Sequence, residues 1–241
     1  MKLPRIEGLI RRRILLNFRV APEVIQRQLP DKFRPKLHAG SAIAGICLIR
    51  LEQIRPIGLP GFVGIASENA AHRIAVQWQD ENGQSQEGVF IPRRDTDSML
   101  NHFVGGRLFP GEHHYADFHV TNSSGRIHFD MKSRDGHASV QLRARLAKAL
   151  PATSKFATLN DASNFFEPGS LGYSATREQN RLDGIRLKTK TWQVEPLDVE
   201  HVHSSYFADE AAFPKDSVSF DCALLMRDIE HEWLSVPDFH L

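Results

Sequence analysis

The stretch YADFHVTNSSGRIHFDMKSRDGHASVQLRARL, residues 115–146, alternates apolar and polar side chains in three successive runs. Turn-forming residues separate the runs at 122–125 and at Asp135 and Gly136. A period of two is typical of strands that bury one face, and short polar turns connect antiparallel neighbours. We therefore predict a three-stranded antiparallel meander whose last strand carries its arginines on the face opposite to the core.

Further short strands are predicted on both sides of this meander. Apolar or alternating runs of strand length occupy residues 43–51, 62–66, 72–78, 88–91, 185–192 and 218–226. Residues 80–83 are a turn signal between two of these runs. Residues 151–180 are rich in Ser, Asn, Gly and Pro, which predicts a loop with one helical turn. About eight antiparallel strands indicate a mainly β fold, a barrel or a sandwich, and closure of a barrel removes exposed edges.

Helices are predicted to be few, short and peripheral. Pro22 suits the first turn of a helix, and Pro30 ends that helix. A second helix can be capped by Asp95 or Thr96 and ends at the Gly-Gly pair of residues 105–106.

The composition is that of an ordinary globular protein, and it argues against two classes of partner. The 241 residues include 30 basic and 29 acidic side chains, which gives a net charge of +1. Such a balance attracts neither nucleic acid nor an anionic membrane surface. We interpret the basic run at residues 11–13 as a solvated N-terminal segment. Residues 1–241 show no repeat or long linker, so we predict a single domain.

The cysteines and the lack of long apolar runs predict a soluble cytoplasmic protein. Cys47 and Cys222 each lie in an apolar run, which favours buried thiols in a reducing compartment over a disulfide framework or a catalytic thiol. No run reaches the roughly 18 apolar residues of a membrane helix, and no signal peptide is recognisable.

The segment between residues 61 and 120 carries a family resemblance. Glu68 follows a Gly-rich strand, a hairpin and a short helix come next, and the segment continues as Gly-Arg-Leu-Phe-Pro-Gly-Glu at residues 106–112. This order resembles acetoacetate decarboxylase and its relatives, and is most similar to their uncharacterised bacterial YqjF-like branch. Weaker similarities extend over most of the chain, at residues 16–18, 22–30, 168–171 and 190–192. The resemblance implies a cone-shaped antiparallel β-barrel with small helices around it, a ligand cavity inside and self-association into a homo-oligomer.

The resemblance also implies that a catalytic lysine pair is missing. In the family, Phe-Pro precedes two lysines, of which the first forms a Schiff base with the keto acid and the second activates it as a neighbouring cation. Gly111 and Glu112 occupy these two positions here, and no lysine lies between residues 51 and 131. Lys188 and Lys190 are alternative amines, but their alternation with other residues along a strand predicts a solvated face.

Two charged residues stand where the family keeps its cavity charges. Glu68 is either a general base or substrate anchor, or a structural acid paired with Arg73 or Arg107. Arg107 either binds a substrate carboxylate with both arms of its guanidinium group or forms an internal ion pair. Asn69, beside Glu68, is a further candidate for ligand binding.

The segment in place of the lysines offers three more candidates. Glu112, His113 and His114 stand there, and a histidine that faced the cavity could perform acid–base chemistry near neutral pH. The alternative interpretation is a polar loop on the barrel surface.

Neither a metal nor an organic cofactor is predicted. His201 and His203 would share one face of a strand, but no zinc signature such as His-Glu-x-x-His occurs. P-loop, dinucleotide and nucleophile-elbow motifs are also missing from the sequence.

Three hypotheses about function stay open at this point. The first is a barrel that binds a small molecule, a carboxylate or carbonyl compound, without lysine chemistry. The second is a lyase or hydrolase that uses Glu68, Arg107 and a histidine for acid–base chemistry. The third is a structural or interaction protein with a filled barrel.

Overall fold

The structure consists mainly of β-strands. The computed structural model describes residues 5–99, 110–178 and 180–241. The elements within these ranges are, in chain order, β1 (Ile6–Val20), α1 (Pro22–Gln26), β2 (Arg34–Pro35), β3 (Leu37–His38), β4 (Ser41–Pro56), a 3-10 helix (Gly61–Val63), β5 (Ile65–Gln79), β6 (Ser85–Thr96), β7 (His113–Ser123), β8 (Arg126–Ser133), β9 (Ser139–Leu146), α2 (Leu159–Phe166), β10 (Leu171–Ala175), β11 (Arg181–Thr189), β12 (Glu195–Ser204), β13 (Val218–Ser235) and β14 (Phe239–His240). None of the described helices has the length and apolar character that crossing a membrane requires.

Nine of these strands close into a barrel. Neighbours hydrogen-bond in the order β6, β7, β8, β9, β12, β13, β1, β4, β5, and the pairing of β5 with β6 completes the circle. All of these pairs are antiparallel except β6 with β7, which run parallel at residues 94–96. Every strand of the circle therefore has a neighbour on both sides, although β6 with β7 and β12 with β13 pair over only three residues each.

A second, smaller ring branches from the same strands. An earlier part of β6, residues 89–91, pairs with β10, and the last part of β13, residues 231–235, pairs with β11. β10 and β11 also pair with each other, so they form a ring with β13, β1, β4, β5 and β6. The five shared strands therefore separate two compartments: the interior of the nine-stranded barrel and the space that the second ring encloses.

Side-chain alternation along β1 determines which residue faces which compartment. Ile14 and Leu16 face the barrel interior, in the main core with Phe129 of β8. Leu15 faces the opposite side, in a cluster with Phe166 of α2. Full burial of each such side chain contributes roughly 2 kcal/mol, so both faces of β1 stabilise the fold.

Several predictions made from the sequence are confirmed. The meander is formed by β7, β8 and β9, with the predicted antiparallel pairing. The turn at residues 80–83 joins β5 to β6, and the Asp80 carboxylate accepts hydrogen bonds from the N–H groups of Asn82 and Gln84. α1 begins at Pro22. The mainly β class and the closed barrel with few helices are confirmed as well.

The interpretation of the basic run at residues 11–13 is wrong. These residues lie in the middle of β1, between β4 and β13, where Arg12 is only 7% exposed. The run was mistaken for a solvated segment because its three charges hide the strand period of the apolar residues around them. The consequence is large, since Arg12 and Arg13 face the two compartments.

Other differences concern strand direction and segment type. Two short parallel pairings, β6 with β7 and β6 with β10, interrupt the expected antiparallel order. Residues 151–180 contain β10 in addition to α2, because Leu171 and Tyr173 are buried against the core. Phe62 begins no strand but lies on the 3-10 helix with 87% of its surface exposed. The predicted second helix falls largely on residues 100–109, outside the described residues.

Candidate functional site

A cavity of about 120 Å³ lies inside the second ring. Strands β1, β4, β5, β6, β10, β11 and β13 all contribute to its wall, together with the start of β7. Much of the wall is apolar, from residues such as Ile49, Ile91, Leu187 and Trp233. For comparison, an engineered apolar cavity of about 150 Å³ holds benzene, so this space suits a ligand of a few non-hydrogen atoms.

Three arginines line this mostly apolar cavity. Arg13 comes from β1, Arg73 from β5 and Arg94 from β6. Their hydrogen-bond partners are uncharged: Arg13 donates to the Cys47 sulfur at 3.3 Å, Arg94 donates to the Ser174 hydroxyl at 2.9 and 3.0 Å, and Arg73 donates to the side-chain oxygen of Asn17. In the described part of the chain, no carboxylate forms an ion pair with any of the three.

Burial determines the electrostatics of this group. It lowers the pKa of Arg73 and of Arg94 to about 10 in each case, because a guanidinium charge is disfavoured away from water. Both side chains still carry a positive charge at pH 7. The cavity wall therefore carries these three positive charges, while the Asp95 carboxylate in the wall pairs with Arg93 and Asp183 attracts Arg94 from nearby. Surroundings of low polarity strengthen the attraction of such charges for an anion.

Two donor atoms of these arginines have no protein partner among the described residues. They are Nη1 of Arg13 and Nε of Arg73, and both atoms are buried. A buried donor without an acceptor costs about 1–3 kcal/mol, and an acceptor group of a bound anion removes that cost. Arg73 is only 5% exposed and also lies over the Phe166 ring, 4.9 Å from its centroid, which holds the guanidinium group in position.

Glu68 lies on the other side of β5, towards the interior of the nine-stranded barrel. Its carboxylate accepts a hydrogen bond from Arg12 Nη2 at 2.6 Å, and the Arg12 guanidinium lies 5.8 Å from the centroid of the Phe129 ring. Burial raises the pKa of the Glu68 carboxyl, although Arg12 and Arg50 oppose the shift. The alternative in which Glu68 pairs with Arg73 is wrong, because strand alternation places the two side chains on opposite faces and Glu68 pairs with Arg12.

The other sequence candidates are distributed between the cavity and the surface. Asn69 and His113 line the cavity, and His113 Nδ1 is 3.2 Å from the carbonyl oxygen of Gly111. His114 Nδ1 lies 3.0 Å from the Asp135 carboxylate, away from the cavity wall. Glu112 pairs with Arg177 at the surface, at 3.1 Å. Arg107 lies outside the described residues.

The backbone at Gly111, the first of the two positions of the missing lysines, does not accommodate a lysine. Gly111 has a φ of 82°, and its N–H donates to the Asp183 carboxylate at 2.9 Å. A Cβ atom at this position would lie 2.6 Å from Cβ of Ser174, which is closer than two non-bonded carbon atoms can approach. Lysine is absent from the described residues that line the cavity, and Lys190 pairs with Glu230 at the surface.

Sequence reasoning missed Arg13 and Arg94, and it considered Arg73 only as a possible partner of Glu68. The usable signal was an arginine within a strand, flanked two residues away by apolar side chains, as Leu15 flanks Arg13. That pattern marks an arginine on a buried face. As for metals, the described residues contain no group of three or more His, Cys, Asp or Glu side chains that could hold an ion.

Comparison with known families identifies the chain. A family model, DUF2071, described as an uncharacterized conserved protein, matches residues 10–226. The chain belongs to the DUF2071 family. Among functionally curated proteins, nothing matches this DUF2071 protein significantly.

Solved structures share the fold of this DUF2071 protein at low sequence identity. An acetoacetate decarboxylase from Legionella pneumophila has a TM-score of 0.61 at 14% identity, over 98% of this chain and 89% of that one. An acetoacetate decarboxylase-like enzyme from Sphingomonas wittichii has a TM-score of 0.61 at 10% identity, over 100% and 93%. The enduracididine biosynthesis enzyme MppR, in complex with pyruvate, has a TM-score of 0.59 at 12% identity, over 97% and 89%. The acetoacetate decarboxylase-like fold predicted from the sequence is thereby confirmed.

Proposed function

We propose that this protein binds a small carboxylate, such as a 2-oxo acid, in the cavity of the second ring, without Schiff-base chemistry. The observation that carries the proposal is the set of three guanidinium groups, from Arg13, Arg73 and Arg94, whose hydrogen-bond partners are all uncharged. Buried charges normally have a partner of opposite sign, since several kcal/mol are lost when one is left alone. A bound carboxylate supplies that partner.

The size and lining of the cavity support a small ligand. A volume of about 120 Å³ suits a molecule with about as many non-hydrogen atoms as benzene, a size range that includes pyruvate. The apolar wall accommodates the carbon skeleton, while the arginines bind the carboxylate. MppR, which has the same fold, was solved in complex with pyruvate.

The lack of an amine in the wall argues for binding without an imine. Imine formation requires a neutral lysine at the carbonyl carbon of the substrate. The described wall offers guanidinium groups instead, and these stay protonated at neutral pH. The two free thiols of the chain support a reducing, cytoplasmic location.

Calorimetric titration with pyruvate and with its uncharged amide, pyruvamide, tests the proposal. We expect pyruvate to bind at least tenfold more tightly than pyruvamide, because a hydrogen bond to a charged partner contributes about 1.5–3 kcal/mol. The variants Arg73→Gln and Arg94→Gln should each weaken pyruvate binding by a similar factor. Arg145→Gln is the matched control, because Arg145 pairs with Asp198 at the surface.

Two further outcomes decide the proposal. Equal binding of pyruvate and pyruvamide, or unchanged pyruvate binding in both cavity variants, would contradict it. Reduction with borohydride in the presence of pyruvate should leave every lysine unmodified, and a covalent adduct on any lysine would refute the exclusion of imine chemistry.

A further inference from the structure

Cys47 is the thiol of the cavity wall. It lies on β4 between Arg13 of β1 and the arginines of β5 and β6, and 9% of its surface is exposed. The Arg13 Nε–H group donates to its sulfur at 3.3 Å. The sulfur is therefore in direct contact with a cationic donor, and reactive cysteines lie in electropositive surroundings of this kind.

The other two arginines also interact with this thiol. Burial is the largest influence on the pKa of Arg73 and of Arg94, and the largest opposing influence on each is the electrostatic attraction of Cys47. Both guanidinium groups therefore lie close enough to the Cys47 sulfur to interact with it electrostatically. One cation thus contacts the Cys47 sulfur and two more act on it, in the same cavity where Nη1 of Arg13 and Nε of Arg73 have no acceptor among the described residues.

The second cysteine differs from Cys47 in its burial and in having a carboxylate neighbour, although Arg73 attracts it as well. Cys222 is fully buried, does not contribute to the cavity wall, and follows the carboxylate residue Asp221 in the chain. Burial, with Asp221 as a further cause, raises the pKa of the Cys222 thiol to about 12. Cys222 is therefore an internal reference for an unreactive thiol.

We propose that Cys47 is a nucleophile that adds to small carboxylates carrying an electrophilic carbon, while the cavity arginines hold the carboxylate. This inference rests on the carboxylate binding proposed above. It gives the cavity a route to a covalent adduct that needs no lysine.

The chemical step balances without a co-reactant. With a 2-oxo acid, a bond forms between the Cys47 sulfur and the carbonyl carbon, the carbonyl π pair moves to oxygen, and that oxygen takes a proton from water. The thiol gives up one proton to solvent and the new hydroxyl group takes one up, so the step has no net change in protons. The product is a reversible thiohemiketal. With a 2-iodo acid, the same sulfur forms the bond to carbon and iodide leaves with its electron pair.

Alkylation with iodoacetate and iodoacetamide tests the inference on the full chain. The two reagents share the leaving group and the reacting carbon, and they differ only in a carboxylate against an amide. We expect iodoacetate to modify Cys47 at least tenfold faster than iodoacetamide does, measured by peptide mass spectrometry, with Cys222 unmodified in both reactions.

Variants show whether the arginines cause this preference. In Arg13→Gln and Arg73→Gln the preference for iodoacetate should fall to near unity, whereas Arg13→Lys, which keeps the charge, should retain part of it. Arg145→Gln should behave like the parent chain. Circular dichroism before alkylation identifies any variant that has unfolded. If one of the two glutamine variants is unfolded, the other one shows whether the arginines cause the preference.

The outcomes separate this inference from the proposed function. If Cys47 reacts with iodoacetate no faster than with iodoacetamide, the proposal that Cys47 is a carboxylate-directed nucleophile is refuted. This holds even if pyruvate binds and protects Cys47 from iodoacetamide. A preference for iodoacetate without any binding of pyruvate overturns the proposed function, while the reactive thiol stands. Modification of Cys222 at a rate similar to that of Cys47 also overturns the inference.

Discussion

Buried charged side chains have different partners in the two compartments. Inside the nine-stranded barrel, Arg12 and Glu68 form a buried ion pair, so neither charge is left without a partner. In the second ring, Arg13, Arg73 and Arg94 have uncharged partners. Removing a charge from water without a partner costs several kcal/mol, and proteins keep such groups mainly at functional sites. The charge imbalance therefore points to the second ring, and not to the barrel interior, as the ligand site.

A buried histidine makes the stability of the fold sensitive to acid. His72 of β5 is fully buried next to the Tyr206 ring, 4.6 Å between centroids, and neither ring nitrogen has a hydrogen-bond partner among the described residues. Burial, with Arg93 as a second cause, lowers the pKa of His72 to about 3. Because the folded pKa is lower than the unfolded one, the neutral ring favours folding above about pH 6.5, and this contribution is lost as the pH falls towards 3.

Urea unfolding of the parent chain and of His72→Leu, at pH 7 and pH 5, measures this contribution. Between these pH values the parent should lose about 2 kcal/mol more of its free energy of unfolding than the variant does. The reason is that His72 is protonated at pH 5 in the unfolded chain and stays neutral in the folded one. His231, whose pKa burial lowers to about 4, is present in both proteins and cancels in the comparison. The same loss in both proteins would show that His72 is not held neutral.

At the scale of elements, the close approach of β1 and β4 depends on one glycine. Gly45 lies opposite Asn17 in the β1–β4 pairing, and a Cβ atom at this position would collide with the carbonyl oxygen of Leu16. That oxygen belongs to the backbone and cannot turn aside as a flexible side chain could. β1 and β4 are shared by both rings, so their separation would disturb the barrel and the cavity together.

The substitution Gly45→Ala should therefore lower the free energy of unfolding by at least about 2 kcal/mol, as overpacking of a core does. The matched control is Gly61→Ala, whose Cβ would meet the flexible side chain of Gln53, with its Oε1 atom 3.4 Å away. The control should stay within about 0.5 kcal/mol of the parent. Chemical denaturation of the three proteins measures both changes, and equal stability of Gly45→Ala and the parent would contradict the packing argument.

Local patterns made some elements predictable, while others depend on distant contacts. The meander follows from its own period of two and from its turns, so β7, β8 and β9 were predictable. β10 was not, since its Leu171 and Tyr173 are buried by strands far away in sequence. The parallel pairing of β6 with both β7 and β10 likewise has no signal in any single segment.

Some residues of the candidate site could likewise be predicted from the sequence, and others could not. The missing lysines at Gly111 and Glu112 could be read from the sequence, as could the candidate His113. The three arginines of the cavity come from β1, β5 and β6, and only the closure of the second ring brings them together. In a run of three arginines such as residues 11–13, the sequence does not show which side chain faces which compartment. That becomes clear only once the strands beside β1 are known.

At the scale of the whole molecule, the two rings share most of their strands. β13, β1, β4, β5 and β6 belong to both, so loss of the hydrogen bonds between any two neighbours among them opens both rings. The main core on one face of these strands and the clusters on the other face are formed by alternate residues of the same segments. Separate unfolding of two units would require each to keep strands that the other has lost.

We therefore predict that the chain unfolds as one cooperative unit, which is the physical meaning of a single domain. Trp78 packs in the main core and Trp233 lines the cavity, so two variants that each retain only one of these tryptophans report on the two compartments. Their fluorescence should change at the same urea concentration, and at the concentration where far-UV circular dichroism shows the loss of strands. A lower midpoint for Trp233 than for Trp78 would mean that the second ring opens on its own, and the cavity would then be a separately unfolding unit attached to a stable barrel.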